Sequence, residues 1–375
     1  MSIFTRAWQS WLALALALAA LATFPLGISD IPVPYVPARM FSVYVLAIGG
    51  AITSLLPLPG LFLAAVLLVC SHFSTGLLLS RLTGNEGSGS VAFFLVLAAN
   101  WLLAWRCVSL LSAIRTRSST FDALLRLIIP AIFGAWILIL WEALTRGLGI
   151  PFIILPPPSA IGARLMTSVP TLWADVQQTV FKAVVFGYVV GCASGFAVAI
   201  LADRVAFFRH GLLPIANLMS ALPIIGVAPI MVMWFGFDWQ SKAAVVIVMT
   251  FFPMLVNTIA GLSAAGSMER DLMRSYASDY WQTLMKLRLP AAMPFIFNAL
   301  KINSTLALIG AIVAEFFGTP IVGMGFRIST EIGRMNVDMV WAEIAVAALV
   351  GSVFYGLVAL GERATTFWHP SNRGG

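Results

Sequence analysis

The sequence predicts an all-α polytopic membrane protein, a helical bundle with about ten transmembrane helices. Three observations carry that expectation. Of the 375 residues, 60% are hydrophobic and only 10% charged, where a soluble domain carries about 25%. Apolar runs of about 20 residues, enough to cross a bilayer as helix, recur along the chain. The alternating apolar and polar strands of a membrane barrel are missing. Lipid is the solvent for such a chain, which excludes a disordered polymer and a soluble domain.

The expected spans fall at roughly 8–27, 40–57, 59–80, 91–111, 126–146, 178–201, 212–235, 242–264, 293–317 and 338–361. The first combines Arg6, an apolar run and Ala20-Leu21-Ala22, which also fits a cleavable signal. Loop charges favour retaining it as a span. Leu56-Pro57-Leu58-Pro59-Gly60 sets a tight hairpin between the second and third. Polar residues 112–122 follow the fourth span, and the chain is divided near residue 120. Residues 1–120 form a four-helix N-terminal extension, and 121–375 a six-helix core. Within the core, residues 148–176 carry Leu155-Pro156-Pro157-Pro158-Ser159 and an amphipathic stretch to Trp173. Pro223 and Pro229 are expected to break the third core span and free backbone groups for a cavity. Gly187, Gly191 and Gly195 repeat a small residue every fourth position, a pattern for close helix packing within the subunit or across a dimer.

The net charge is +7. With the N-terminus in the cytoplasm, basic clusters fall on the inner loops: Arg115, Arg117 and Arg126; Arg204 and Arg209; Arg270, Arg274, Lys286 and Arg288; Arg363 and Arg373. The excess therefore reports sidedness, not nucleic-acid binding. Cys70, Cys107 and Cys192 lie in apolar stretches, and His72, His210 and His369 are far apart. Neither a disulfide framework nor metal chemistry is expected.

The most patterned polar stretch is 269–294, from Glu269-Arg270-Asp271 to Leu289-Pro290-Ala291-Ala292-Met293-Pro294. Leu272, Tyr276, Tyr280, Leu284 and Leu287 recur at helical spacing, with charges on the other face. Pro290 is expected to end that helix and bend the chain before the next span. A short amphipathic helix lying along the cytoplasmic face follows. Such a helix rests in lipid headgroups or docks a soluble partner.

This stretch resembles the EAA loop of permease subunits from bacterial ABC importers. Asp271 stands at the acidic position, Leu272 and Met273 at the alanines, and Ala277 at the glycine. Trp281-Gln282-Thr283 through Leu289-Pro290 and Pro294 match more closely. The likeness extends over roughly 124–368, to the taurine, sulfonate, nitrate and thiamine-precursor branch. It includes Leu155 to Ser159; Pro223, Pro229 and Trp234-Phe235-Gly236; Phe252-Pro253 with Asn257-Thr258 and Gly261; and Ala314-Glu315 with Gly323-Met324-Gly325.

The resemblance implies a homodimer of permease subunits in the bacterial inner membrane, multi-pass, with both termini cytoplasmic. Two cytoplasmic ABC ATPases would bind below, and a periplasmic binding protein would deliver a small solute from above. ATP and Mg would sit on the partner ATPase, with no cofactor in this chain. Arg270, Asp271, Arg274, Ala277, Tyr280, Trp281, Leu289 and Pro290 would then couple to the ATPase, around a helix near 269–290. Gly261 and Gly266 have phosphate-loop spacing, but Ser267 stands where the essential lysine belongs, so ATPase chemistry is not expected of the chain itself.

Charges inside spans are functional candidates because lipid makes them costly. Glu142 and Lys182 lie near span ends and read as snorkelling side chains. Lys301 reaches toward the cytoplasmic interface, and Glu315 and Glu343 are placed to pair with an arginine such as Arg327. The expected pathway residues are Asn217, Ser220, Pro223, Met231, Asn257, Asn303, Ser304 and Glu315, with hydrogen bonding between helices the competing role for the polar ones. An ion-coupled secondary transporter would want titratable groups at midplane, whereas these charges lie near helix ends. A polytopic membrane enzyme would want Ser with His, paired Asp or a His-Glu-x-x-His helix, and His72 is alone inside a span.

Overall fold

The computed structural model describes residues 7–23, 37–114, 119–219, 223–318 and 321–368; the side chains of 37–40, 119, 206, 209, 210, 213 and 217 are outside that description. Every regular element spanning more than a turn is a helix among the described residues. Packing divides the chain into two compact units, Met1–Ala160 and Ile161–Gly375. Among the described residues, seven helices are long and apolar enough to cross a membrane, and Trp8–Ala22, Phe41–Leu55 and Ile224–Phe235 are shorter apolar ones.

The first unit holds α1 (Trp8–Ala22), α2 (Pro37–Leu55), α3 (Gly60–Leu79), α4 (Val91–Ala113) and α5 (Ser119–Gly147). Ala13, Ala17 and Ala20 form a fully buried stripe on α1, and small residues let backbones approach where no hydrophobic effect drives association. Polar links join the helices. The Ser10 and Ser54 hydroxyls are 2.6 Å apart, and Asn100 Nδ2 donates to Ser74 Oγ (2.9 Å), which donates to the Val43 carbonyl (3.1 Å). Leu127 and Phe133 of α5 stay exposed, as lipid-facing side chains do.

Glu142 does not snorkel. Its carboxylate accepts from Arg146 Nη1 (3.1 Å), Ser159 N (2.9 Å) and Ser159 Oγ (2.7 Å), which ties the end of α5 to the triple-proline segment. The neighbouring loop is pinned to the same place, since the amides of Gly87 and Gly89 donate to the carbonyls of Arg146 and Gly147.

The second unit holds α6 (Pro158–Thr167, shared across the division), α7 (Val169–Arg204), α8 (Ala206–Met219), α9 (Ile224–Phe235), α10 (Trp239–Leu262), α11 (Ser267–Ser275), α12 (Tyr280–Glu315), α13 (Met324–Gly333) and α14 (Val337–Thr365). The packed centre is α7, α10 and α12. The glycine stripe of α7 seats against α10, where a Cβ on Gly187 would meet Val246, one on Gly191 the Thr250 hydroxyl, and one on Gly195 the Phe251 carbonyl. The small residues therefore serve packing within the subunit.

Two expectations are corrected. The single span 212–235 is two helices, α8 and α9. The 12 residues of α9 rise only about 18 Å. Pro223 caps α9, while Pro229 lies inside it without a break. Pro290 does not stop the helix that follows the loop, because α12 runs unbroken from Tyr280 to Glu315. A π-turn at Leu284–Arg288 supplies the slack. Its wider i→i+5 register spares the carbonyl that a proline ring would clash with.

Candidate functional site

The 36 residues of α12 make it about 50 Å long, so its two ends define two separate sites. We call them the loop end, near 263–283, and the far end.

At the loop end α11 carries Arg270, Asp271 and Arg274, of which Arg274 and Asp271 pair at 3.2 Å in solvent. No residue of α11 is buried. Met268 is 83% exposed, Leu272 57% and the capping Tyr276 77%. At i, i+4 and i+8 these three fall on one helix face. The predicted apolar stripe thus changes owner. Leu272 and Tyr276 belong to α11 with Met268, which lies just before the motif window. Tyr280, Leu284 and Leu287 belong to α12, and Leu284 is fully buried.

The turn between the helices depends on Ala277. Its φ is +53°, the left-handed conformation that glycine adopts without strain. Ser278 N donates to the Met273 carbonyl (3.0 Å) and Ala277 N to that of Arg274 (2.9 Å), the Schellman pattern that ends a helix. The glycine position of the resembled motif is therefore a real bend, held here by an alanine. Asp279 then starts α12 with a capping box, accepting from Gln282 N at 2.6 Å while its own N–H donates to Gln282 Oε1 at 3.2 Å.

Beneath this turn lies an ion pair that the sequence reading did not single out. Arg288 Nη1 and Nη2 donate to Asp203 at 2.7 and 2.6 Å, and Arg288 Nε donates to the Leu262 carbonyl at 3.0 Å. Tyr280 Oη donates to the same carboxylate at 3.0 Å. The Arg204 guanidinium lies over the Tyr280 and Trp281 rings, 5.5 and 5.6 Å from their centroids. Asp203 lies in the last turn of an apolar helix, only two residues past its predicted edge, and a carboxylate there needs a partner. That was the available signal.

The far end is buried and polar. Gly323 N donates to Asp175 (2.6 Å), Met324 N to Thr179 Oγ1 (2.9 Å) and Gly325 N to Glu315 (2.7 Å). Three side chains from α7 and α12 thereby satisfy the free amides at the start of α13. Thr179 Oγ1 also donates to Glu315 at 2.7 Å. Gly325 is required sterically, because a Cβ there would strike the Ile312 carbonyl. Arg327 pairs with Asp175 at 2.8 Å, in place of the expected Glu315 or Glu343. Arg164 pairs with Asp338 at 2.7 Å and is held in its charged form by that carboxylate.

The expected pathway residues are placed as follows. Asn303 Nδ2 donates to the Thr250 carbonyl (2.7 Å) and the Cys192 sulfur (3.2 Å), joining α12 to α10 and α7. Asn257 Nδ2 and Ser304 Oγ donate within their own helices, to the carbonyls of Pro253 and Lys301. Met231 packs beside Ala228, Val245 and Ala314. Ser220 and the Asn217 side chain lie outside the described residues. Lys301 pairs with Glu362 at 2.7 Å, and Lys182 donates to Gln178. An apolar cavity of about 80 Å³ lies between α9, α10 and α12, lined by Met219, Ile224, Val245, Met249, Phe252 and Leu306.

Among the described residues the chain is a polytopic helical bundle with one amphipathic helix, α11, left exposed. Residues 187–366 match the family described as the binding-protein-dependent transport system inner membrane component. Over 231 residues the chain is 29% identical to a probable ABC transporter permease protein of Haemophilus influenzae, covering 62% of this chain and 94% of that one. It is 28% identical over 240 residues to the riboflavin transport system permease protein of Chloroflexus aurantiacus, covering 63% and 88%. It is 29% identical over 244 residues to the taurine transport system permease protein of Escherichia coli, covering 61% and 85%. The chain is thus similar to this permease family over residues 187–366, and its long apolar helices make it a multi-pass membrane protein.

Proposed function

We propose that the chain forms the solute pathway of an ATP-driven importer as a homodimer and couples to two ABC ATPases through α11. The observation that carries this is the exposed stripe Met268, Leu272 and Tyr276 on a helix with no buried residue. An apolar face of that kind, rimmed by Arg270 and Arg274, fits a hydrophobic groove in a soluble partner. In this reading the loop end is cytoplasmic, in line with its basic charge, and the far end faces a periplasmic binding protein. Mg-ATP acts on the partner ATPase, and its closure on α11 drives alternating access. Relatives named for riboflavin and taurine support a small organic solute. The four N-terminal helices, to about residue 120, are proposed as an extension that precedes this core in the chain.

The test is co-purification of the cognate ATPase with the full chain. Met268→Asp with Leu272→Asp is expected to remove the ATPase from an otherwise intact membrane protein. Unchanged retention in that variant would contradict docking through α11.

A further inference from the structure

Arg288 sits where three helix ends meet. It reaches α7 through Asp203, α10 through the Leu262 carbonyl, and belongs itself to α12. Asp203 is only 2% exposed and Arg288 14%, so the bidentate pair is shielded from water and stiff. Tyr280 adds a third donor to the same carboxylate. The π-turn Leu284–Arg288 shifts the phase of α12 at this place, and Arg288 is its last residue.

The connectivity gives the knot its consequence. Covalently, α11 hangs from α10 through Ser263–Gly266 and from α12 through Ala277–Asp279. It has no chain connection to α7 nearby. Along its middle α7 is seated on α10 by the glycine stripe. The Tyr188 hydroxyl donates to the Leu300 carbonyl (3.1 Å), and Thr179 to Glu315 at the far end. At the loop end the ion pair from α7 to α12 is Asp203–Arg288, with the Arg204 stack on Tyr280 and Trp281 beside it.

We infer that Asp203 and Arg288 are positioning residues: they bind the loop ends of α7, α10 and α12 into one body, so that displacement of α11 reaches α7. This rests on the ATPase-coupling reading and assigns the internal route of that coupling. Tyr280 and the Arg204 stack hold the pair in register with the first turn of α12.

The experiment is hydrogen–deuterium exchange on the full chain in complex with its ATPase, with and without Mg-ATP and orthovanadate. In the wild type, trapping is expected to change exchange both in residues 263–283 and at the end of α7, residues 196–205. In Asp203→Asn and in Arg288→Gln the first change persists, while the second falls to about half or less. The double variant is expected to match either single one, because the two residues act as one unit. Asp203→Glu, which keeps the charge, restores most of the α7 response. A merely structural role would lower thermal stability while leaving the α7 response intact, and that result overturns the inference. Should Asp203→Asn lose the ATPase, Tyr280→Phe keeps the ion pair and is read the same way, with a smaller reduction expected. A wild type whose 263–283 segment does not respond to trapping would instead sink the ATPase-coupling reading itself.

Discussion

At the far end of the core, Asp175, Thr179 and Glu315 are buried and each accepts a backbone amide from the start of α13. At the loop end, α11 buries nothing and holds three large apolar side chains in the open. Both ends carry a π-turn, at Gln177–Val184 and Leu284–Arg288, which hold Thr179 and Arg288 of the two polar networks. The difference teaches where the molecule spends its interactions. Three helices, α7, α12 and α13, are fixed to one another at the far end, and one short helix is left exposed at the other.

The largest expected effect is at the far end. Arg327→Met leaves the fully buried Asp175 carboxylate without its charge partner, and breaking such a pair costs about 3–5 kcal/mol. Thermal unfolding of the purified chain should show it, and a shift no larger than that of a surface variant would break the contrast. Next comes Gly191→Val, which drives side-chain atoms into the Thr250 hydroxyl and the α10 backbone. Overpacking of this kind costs about 1–3 kcal/mol, measured in the same way.

The loop end should respond less. Ala277→Gly removes the strain of a left-handed alanine and is expected to stabilise the turn by about 1 kcal/mol or less. Ala277→Val should do the reverse. Smallest of all is Leu272→Asp in the isolated chain, expected within about 0.5 kcal/mol of wild type because Leu272 is more than half exposed on a helix with no buried residue. A larger loss would mean that α11 is part of the fold and not a presented surface.

Hydropathy made the bundle legible, because a 20-residue apolar run has few other stable fates. It failed where apolar character continues through a break. Residues 212–235 stay apolar across Pro223, so α8 and α9 read as one span. It also failed at Pro290, because a π-turn leaves no mark in composition. The loop-end surface was half legible. Leu272 and Tyr276 showed their spacing, but the bend at Ala277 divides the stripe, and Tyr280 and Leu284 turn inward. The far-end network was not legible, since Asp175 and Gly323 are 148 residues apart and only the fold brings them together. Glu142 misled for the same reason, its partner Ser159 lying across a turn from α5.

The most direct measurement is site-specific photocrosslinking on the assembled complex, with a benzophenone side chain placed at Leu272 or Tyr276 and, as the contrast, at Ile321 of the far end, which is at least as exposed as either. Crosslinks to the ATPase from Leu272 and Tyr276 but not from Ile321 are the predicted result. Crosslinks from Ile321, or none from α11 in a complex that retains its ATPase, would contradict docking of the ATPase on α11.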